Sequence, residues 1–179
     1  QVGLEWTSQA EDTAMTHLSF QSRPILQAEL DSVEDERLTP YIRALFDRKP
    51  VTVEEWMESW KYGDEMYAEL QREVFLAGYD ALICPTLVTT SIPADLGRPD
   101  SGGTIELGEM LNLAMTYPFN ILGRLPVANV PIGIAPSTGV PIGMQIVGPV
   151  DADAVPLRLA LGIENEIGSF FDQHRPALA

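Results

Sequence analysis

An α/β fold is what this sequence predicts, on three observations. An apolar stripe recurs at three- and four-residue spacing from Val53 to Val74, a short apolar run closes on Cys84-Pro85, and two β-rich runs, 126–134 and 141–147, flank a turn-forming stretch. The first pattern is the period of an amphipathic helix, and the other two have the length and composition of strands. At 179 residues the chain can bury a core of its own, and length alone gives no reason to divide it. Its 45% hydrophobic and 21% charged content is that of a soluble globular protein, far from both the disordered and the membrane class.

Taken in order, residues 1–30 scatter Trp6, Met15 and Phe20 among polar residues with too weak a period to assign, and they form an unassigned N-terminal stretch. Ser32 can cap a short helix. Thr39 followed by Pro40 is an N-cap with proline at the first helical position, leading into Tyr41, Ile42, Leu45 and Phe46. After Pro50, Thr52 and Glu55 have the spacing of a capping box, in which each side chain satisfies the other's backbone N–H. The helix that follows, roughly twenty-five residues long, carries Val53, Trp56, Met57, Trp60, Tyr67, Leu70 and Val74 on a core-facing stripe. Both tryptophans are expected to be ordinary core.

Gly78 can end that helix in a left-handed conformation, and Asp80 to Cys84 is predicted to be a buried strand stopped by Pro85. Residues 87–103, rich in Pro, Gly, Ser and Thr, form a long loop. Thr104 caps a helix with Leu107, Met110, Leu111 and Ala114 on its apolar side. The two β-rich runs pair as a hairpin about 135–140, and Asp153 caps a last helix with Pro156 in its first turn and Leu157, Leu161, Glu164 and Ile167 at helical spacing.

The formal charge of −15 repels phosphate backbones, and the basic residues are scattered, so nucleic acid is excluded as a partner. No run of 18 apolar residues occurs and the N-terminus lacks the layout of a secretion signal, so no membrane association is expected. The chain starts at Gln1 rather than Met, however, and a targeting signal can have been lost with the natural start. A single cysteine, Cys84, favours a reducing compartment, the cytoplasm.

A serine hydrolase needs an activated hydroxyl, a base beside it and donors aimed at the oxyanion. None is recognisable. There is no Gly-x-Ser-x-Gly, and Ser101-Gly102-Gly103 lacks a strand and helix on either side. His17 and His174 are expected on the surface, Lys49 and Lys61 in solvated positions, and Cys84 as a small buried hydrophobe. Asp151 and Asp153 lack the further oxygen ligands of a cation site. The sequence thus predicts no catalytic residue, no metal and no cofactor.

Four segments stand in a fixed order: Tyr79 to Thr86 (YDALICPT), Met115 to Asn120 (MTYPFN), Leu125 to Gly133 (LPVANVPIG) and Val140 to Gly148 (VPIGMQIVG). In this order and spacing the chain resembles the C-terminal third of amidase signature enzymes, over roughly Leu38 to Gly168, which makes residues 31–179 the C-terminal part of an amidase domain. The resemblance implies an α/β/α sandwich around a large mixed sheet. It also implies attack on an amide carbonyl by a serine whose proton passes through a cis-linked second serine to a lysine, with a glycine-rich loop holding the oxyanion. No Gly-Gly-Ser-Ser-Gly-Gly run is present, so none of those roles transfers to a residue here.

What the resemblance does carry over is one wall of a substrate pocket, at Met110, Leu113 and Tyr117. These are either wall residues facing the acyl side of a substrate or plain core of an amphipathic helix. Asn120 is expected to anchor backbone, and Gly133, Gly143 and Gly148 to sit where strands pack closely. The expected function is therefore the C-terminal portion of an amidase, inert alone, taking a small-molecule amide with the missing N-terminal half, and prone to self-association. Two alternatives remain: an A-type subunit of a multi-protein amidotransferase, and a free-standing, non-catalytic binding domain.

Overall fold

The computed structural model describes residues 1–30, 40–92 and 112–168. In chain order the elements are α1 (Gln9–Leu30), α2 (Pro40–Asp47), α3 (Val53–Leu70) continued by a π turn (Gln71–Phe75), β1 (Leu82–Pro85), α4 (Tyr117–Leu122), β2 (Val127–Ile134), β3 (Pro141–Val147) and α5 (Ala154–Ile167). The caps at Ser32 and Thr39, most of the 87–103 loop, and residues 104–111 of the helix expected from Thr104 lie outside the described residues, as does His174, while residues 112–114 are not helical. Contacts divide the chain into two compact units, one of Glu5–Ala68 and Ile92–Leu122, the other of Gln1–Leu4, Glu69–Ser91 and Gly123–Ala179.

The first of these units is helical, and it holds an element the sequence leaves unassigned. α1 runs 22 residues through the stretch without an apolar period. Its buried positions explain the weak signal: Ala10, Thr13 and His17 lie on one face and Met15 and Ser19 on another, so more than half of what α1 buries is polar. Met15 meets Leu45 and Phe46 of α2, and the Arg23 guanidinium lies over the Phe46 ring at 5.6 Å. Phe20 stacks on Trp56 with centroids 4.8 Å apart, Trp56 meets Trp60 edge-on at 5.8 Å, and Trp6 meets Phe119 of α4 edge-on at 5.7 Å. Trp56 and Trp60 are half-buried and packed against aromatic rings, a packing role as their spacing predicts, though neither is fully buried.

The capping box of α3 forms as expected. The Thr52 N–H donates to Glu55 Oε2 at 2.8 Å and the Glu55 N–H to Thr52 Oγ1 at 3.1 Å. The stripe needs correcting at its start, because Val53 and Met57 are 61% and 60% exposed. The buried face runs through Ser59, Gly63, Met66, Leu70 and Val74. At 3.6 residues per turn the two exposed residues stand roughly a quarter-turn or more from its centre.

In the other unit, the end of α3 widens into the π turn, where the Leu76 N–H reaches back to the Gln71 carbonyl at 2.8 Å, and Gly78 leaves the helix at φ 92° as its position predicts. The sheet has the order β1-β3-β2, each pair antiparallel, so β1 and β2 run parallel on either side of β3. The predicted hairpin joins β2 and β3, closed by Ala135 N–H to the Val140 carbonyl at 2.9 Å, with a bulge between Pro131 and Gly133.

α5 packs on β2 and β3, and Ile146 of β3 is 0% exposed, whereas Ile83, opposite Ile146 in the ladder, is 59% exposed. The expectation that Asp80 to Cys84 is a buried strand is therefore corrected: among the described residues β1 is an edge strand with one side open. Asp153 occupies the N-cap position of α5 in an αR conformation but makes no side-chain cap bond, so its expected role fails there too. Leu157, Leu161 and Ile167 line a groove with Val130 and Pro131 and stay exposed.

Candidate functional site

Of the three pocket candidates, Met110 lies outside the described residues. Leu113 is half-buried in a turn just ahead of α4 rather than within a helix, and Tyr117 is half-buried as the first residue of α4. Burial, and after it the carboxylate of Glu11 and the hydroxyl of Tyr62, push the Tyr117 phenol above its ordinary range. It therefore stays neutral at physiological pH and can donate or accept a hydrogen bond but not act as a base. Asn120 is exposed; its backbone N–H bonds the Thr116 carbonyl, and its side chain makes none of the expected anchoring bonds among the described residues.

His17 is corrected from surface to interior. It is 8% exposed, lies against Trp60 at 4.8 Å between ring centroids, and its Nε2 finds no partner among the described residues. Burial holds its pKa below the ordinary histidine value of 6.5, so folding favours the neutral ring. The unfolded chain takes up a proton as pH falls through that value while the folded chain resists, so stability present above it is lost as pH falls toward the lower, folded-state pKa. Replacing His17 with Phe removes this dependence. Thermal melts of both proteins at about pH 7.5 and about pH 5.5 should show the variant gaining on the wild type at the lower pH; an unchanged gap would show that His17 titrates freely.

The lysines stand as predicted, in solvated pairs, Lys49 with Glu55 at 3.3 Å and Lys61 with Glu58. Cys84 is half-buried, with its thiol pushed up by desolvation, the direction opposite to that of an activated nucleophile. Among the described residues no group of three His, Cys, Asp or Glu is placed to hold a metal ion, and no helix is long and apolar enough to cross a membrane.

One cluster of polar side chains was not legible in the sequence. Gln145 in the middle strand is buried, and its Nε2 donates to the Pro85 carbonyl at 3.0 Å and toward Cys84 Sγ at 3.5 Å, tying down the end of β1. One step on, the Thr86 N–H bonds the Gly143 carbonyl at 3.0 Å, and the Thr86 hydroxyl donates to Asn129 Oδ1 at 2.7 Å. Thr86 and Asn129 belong to opposite sides of β3 and meet over Gly143, where a Cβ would lie 2.7 Å from Thr86 Oγ1 and 3.1 Å from Asn129 Oδ1. Glycine at 143 thus lets two strands that are not neighbours share a hydrogen bond. The pair opens on a cleft of about 540 Å³ lined by residues 85–90, Asn129, Pro131 and residues 140–143.

With fold and clusters in view, comparison with known proteins is specific. The family model described as Amidase matches residues 5–155, and the chain belongs to the amidase family. It is 34% identical over 92 residues to an acylamidase of Rhodococcus erythropolis, covering 50% of this chain and 19% of that protein. To the A-type subunit of the glutamyl-tRNA(Gln) amidotransferase of Bartonella quintana it is 29% identical over 133 residues, 69% of this chain and 26% of the relative. A 6-aminohexanoate-cyclic-dimer hydrolase of Paenarthrobacter ureafaciens is 35% identical over 100 residues, 51% of this chain and 20% of the hydrolase. The chain thus spans about a fifth to a quarter of the length of these curated relatives.

In three dimensions, 97% of the chain superposes on 37% of the substrate-complexed 6-aminohexanoate cyclic dimer hydrolase, with a TM-score of 0.75 at 22% identity. A bacterial aryl acylamidase of the amidase signature family gives 0.67 over 91% of the chain. At these identities the likeness establishes the fold: the helices and the antiparallel sheet are part of an amidase signature α/β architecture.

Proposed function

We propose that this chain is the C-terminal portion of an amidase that hydrolyses a carbon–nitrogen amide bond, and that it contributes strands, covering helices and a pocket wall but not the catalytic serines and lysine. The observation that carries this is the family match over residues 5–155 in a chain with no Gly-Gly-Ser-Ser-Gly-Gly run. The lysines at 49 and 61 are exposed and paired with glutamates, which supports the absence of a catalytic base. Met110, Leu113 and Tyr117 form the wall toward a small-molecule amide, with Tyr117 a neutral hydrogen-bonding group. The whole enzyme works in the cytoplasm without metal or organic cofactor. Exposed apolar residues such as Ile83, Leu157 and Leu161 favour association with the remaining amidase half or with a second copy.

Incubated with aryl and aliphatic amides, the chain alone is expected to give no turnover and no labelling by a fluorophosphonate, and to support turnover once an N-terminal amidase half is supplied. Labelling of a serine in this chain would overturn the assignment. A second reading, membership of an amidotransferase complex, is favoured by the breadth of the Bartonella quintana match. Recovery of the chain in a stable complex with proteins other than an amidase half would put that reading first.

A further inference from the structure

The geometry points to a cleft in the helical unit, between α1 and the connection from α2 to α3, as a binding site for a singly charged organic acid with a short apolar tail. Its volume, about 340 Å³, lies at the small end of the range on the order of 300–1,000 Å³ that small-molecule sites occupy. Met15, buried against Leu45, lines it together with Pro50 and Val51, and these give the tail an apolar wall. Arg48, Lys49 and Glu55 line the polar side. The Arg48 carbonyl accepts a hydrogen bond from Arg23 Nη1 at 2.7 Å, and the Arg23 guanidinium lies over the Phe46 ring at 5.6 Å. That pair of contacts pins the backbone from which the Arg48 side chain projects.

Charge selects the head group. Glu55 Oε2 accepts from the Thr52 N–H at 2.8 Å and from its hydroxyl at 2.9 Å, while Oε1 meets the Lys49 ammonium at 3.3 Å. The Thr52 backbone bond above all, then the hydroxyl and Lys49, hold the Glu55 carboxyl below its ordinary range, so Glu55 stays charged and answers Lys49. Arg48 is different: among the described residues its guanidinium makes no ion pair or hydrogen bond. One positive charge is left over, on a planar fork that matches a carboxylate. A dianion would bring two charges to that one and face Glu55 as well, and a neutral molecule would forgo the guanidinium. The −15 of the whole chain opposes any anion, but in about 0.15 M salt charges beyond about 8 Å are largely screened, whereas Arg48 makes direct contact. Thr16, also at the cleft, already gives its hydroxyl proton to the Asp12 carbonyl at 2.8 Å, so the head group falls to Arg48. This site uses residues of the helical unit only and involves no catalysis, so it stands or falls separately from the amidase assignment.

The test is a nuclear magnetic resonance titration of the 179-residue chain with hexanoate and, in parallel, with hexan-1-ol and sulfate. Hexanoate is expected to shift the Arg48 side-chain N–H together with the Met15 and Val51 methyl groups, and the alcohol and sulfate to bind at least ten-fold more weakly. Arg48→Gln should weaken hexanoate at least ten-fold, and Arg48→Lys, which keeps the charge but loses the fork, severalfold. Glu55→Gln can still close the capping box, and by releasing Lys49 it should tighten hexanoate severalfold. Unchanged signals from the Met66 methyl group and the Trp60 indole check that each variant is folded. Hexanoate binding that survives Arg48→Gln undiminished, a folded Glu55→Gln that binds no tighter, hexan-1-ol or sulfate binding as tightly as hexanoate, or an absence of shifts at these residues would each overturn the proposal.

Discussion

Ile146→Asp is expected to abolish the cooperative unfolding transition of the sheet-bearing unit, while Ile83→Asp, directly across the ladder, should leave it nearly intact. The two residues face each other in register, yet Ile146 is 0% exposed in the central strand and Ile83 is 59% exposed on the edge strand. A carboxyl group at 146 must either stay charged without water or take up a proton and still lack partners. The cost, several kcal/mol at least, is comparable with a whole domain's stability of about 5–15 kcal/mol. At 83 the carboxylate points into solvent, where substitutions typically change stability by about 0.5 kcal/mol. Circular dichroism melts read the difference. Equal damage at both positions would show that β1 is covered in solution, for instance by a second copy of the chain.

How much of this was legible in the sequence depended on how far apart the cooperating residues lie. Thr52 and Glu55 are three apart, and the turn at 135–140 sits between its own strands, so both features could be derived locally and both formed. The exposure of Ile83 depends on which strands flank it and how far α5 reaches, and no local pattern reports either. α1 escaped because Thr13, His17 and Ser19 are buried, which hides the apolar period on which helix assignment rests. Asp153 has the right residue type at the right place but an αR backbone that leaves its side chain uncapped. The Thr86–Asn129 bond spans 43 positions and requires both the strand order and a glycine between them. Of the pocket wall that the resemblance implies, Leu113 stands in the turn before α4 and Tyr117 is the first residue of α4, and it was the resemblance, not local pattern, that singled them out.

Gly148→Ala is expected to destabilise the same unit by about 2 kcal/mol, through overpacking where α5 meets the sheet. A Cβ at 148 would stand 2.7 Å from Pro156 Cδ and 3.3 Å from both Pro156 Cγ and Pro126 Cγ. Neither neighbour can swing aside, since both are proline rings: Pro156 is buried in the first turn of α5, and the Pro126 carbonyl accepts the Gly148 N–H at 2.9 Å. Relief must come from lifting α5 off β2 and β3 or from stretching that hydrogen bond. Gly148 does not have a positive φ, so backbone strain adds nothing and the clash acts alone. Against it stands the general advantage of alanine, roughly 0.4–1 kcal/mol from a less flexible unfolded chain, which is the smaller effect. Gly162 isolates that smaller effect: it lies within α5 with nothing within 4 Å of a Cβ, so Gly162→Ala should stabilise by about 0.5–1 kcal/mol. Urea titrations of the two variants should therefore move the midpoint in opposite directions. A Gly148→Ala midpoint that rises alongside that of Gly162→Ala would mean that α5 does not rest on the Gly148 backbone in solution.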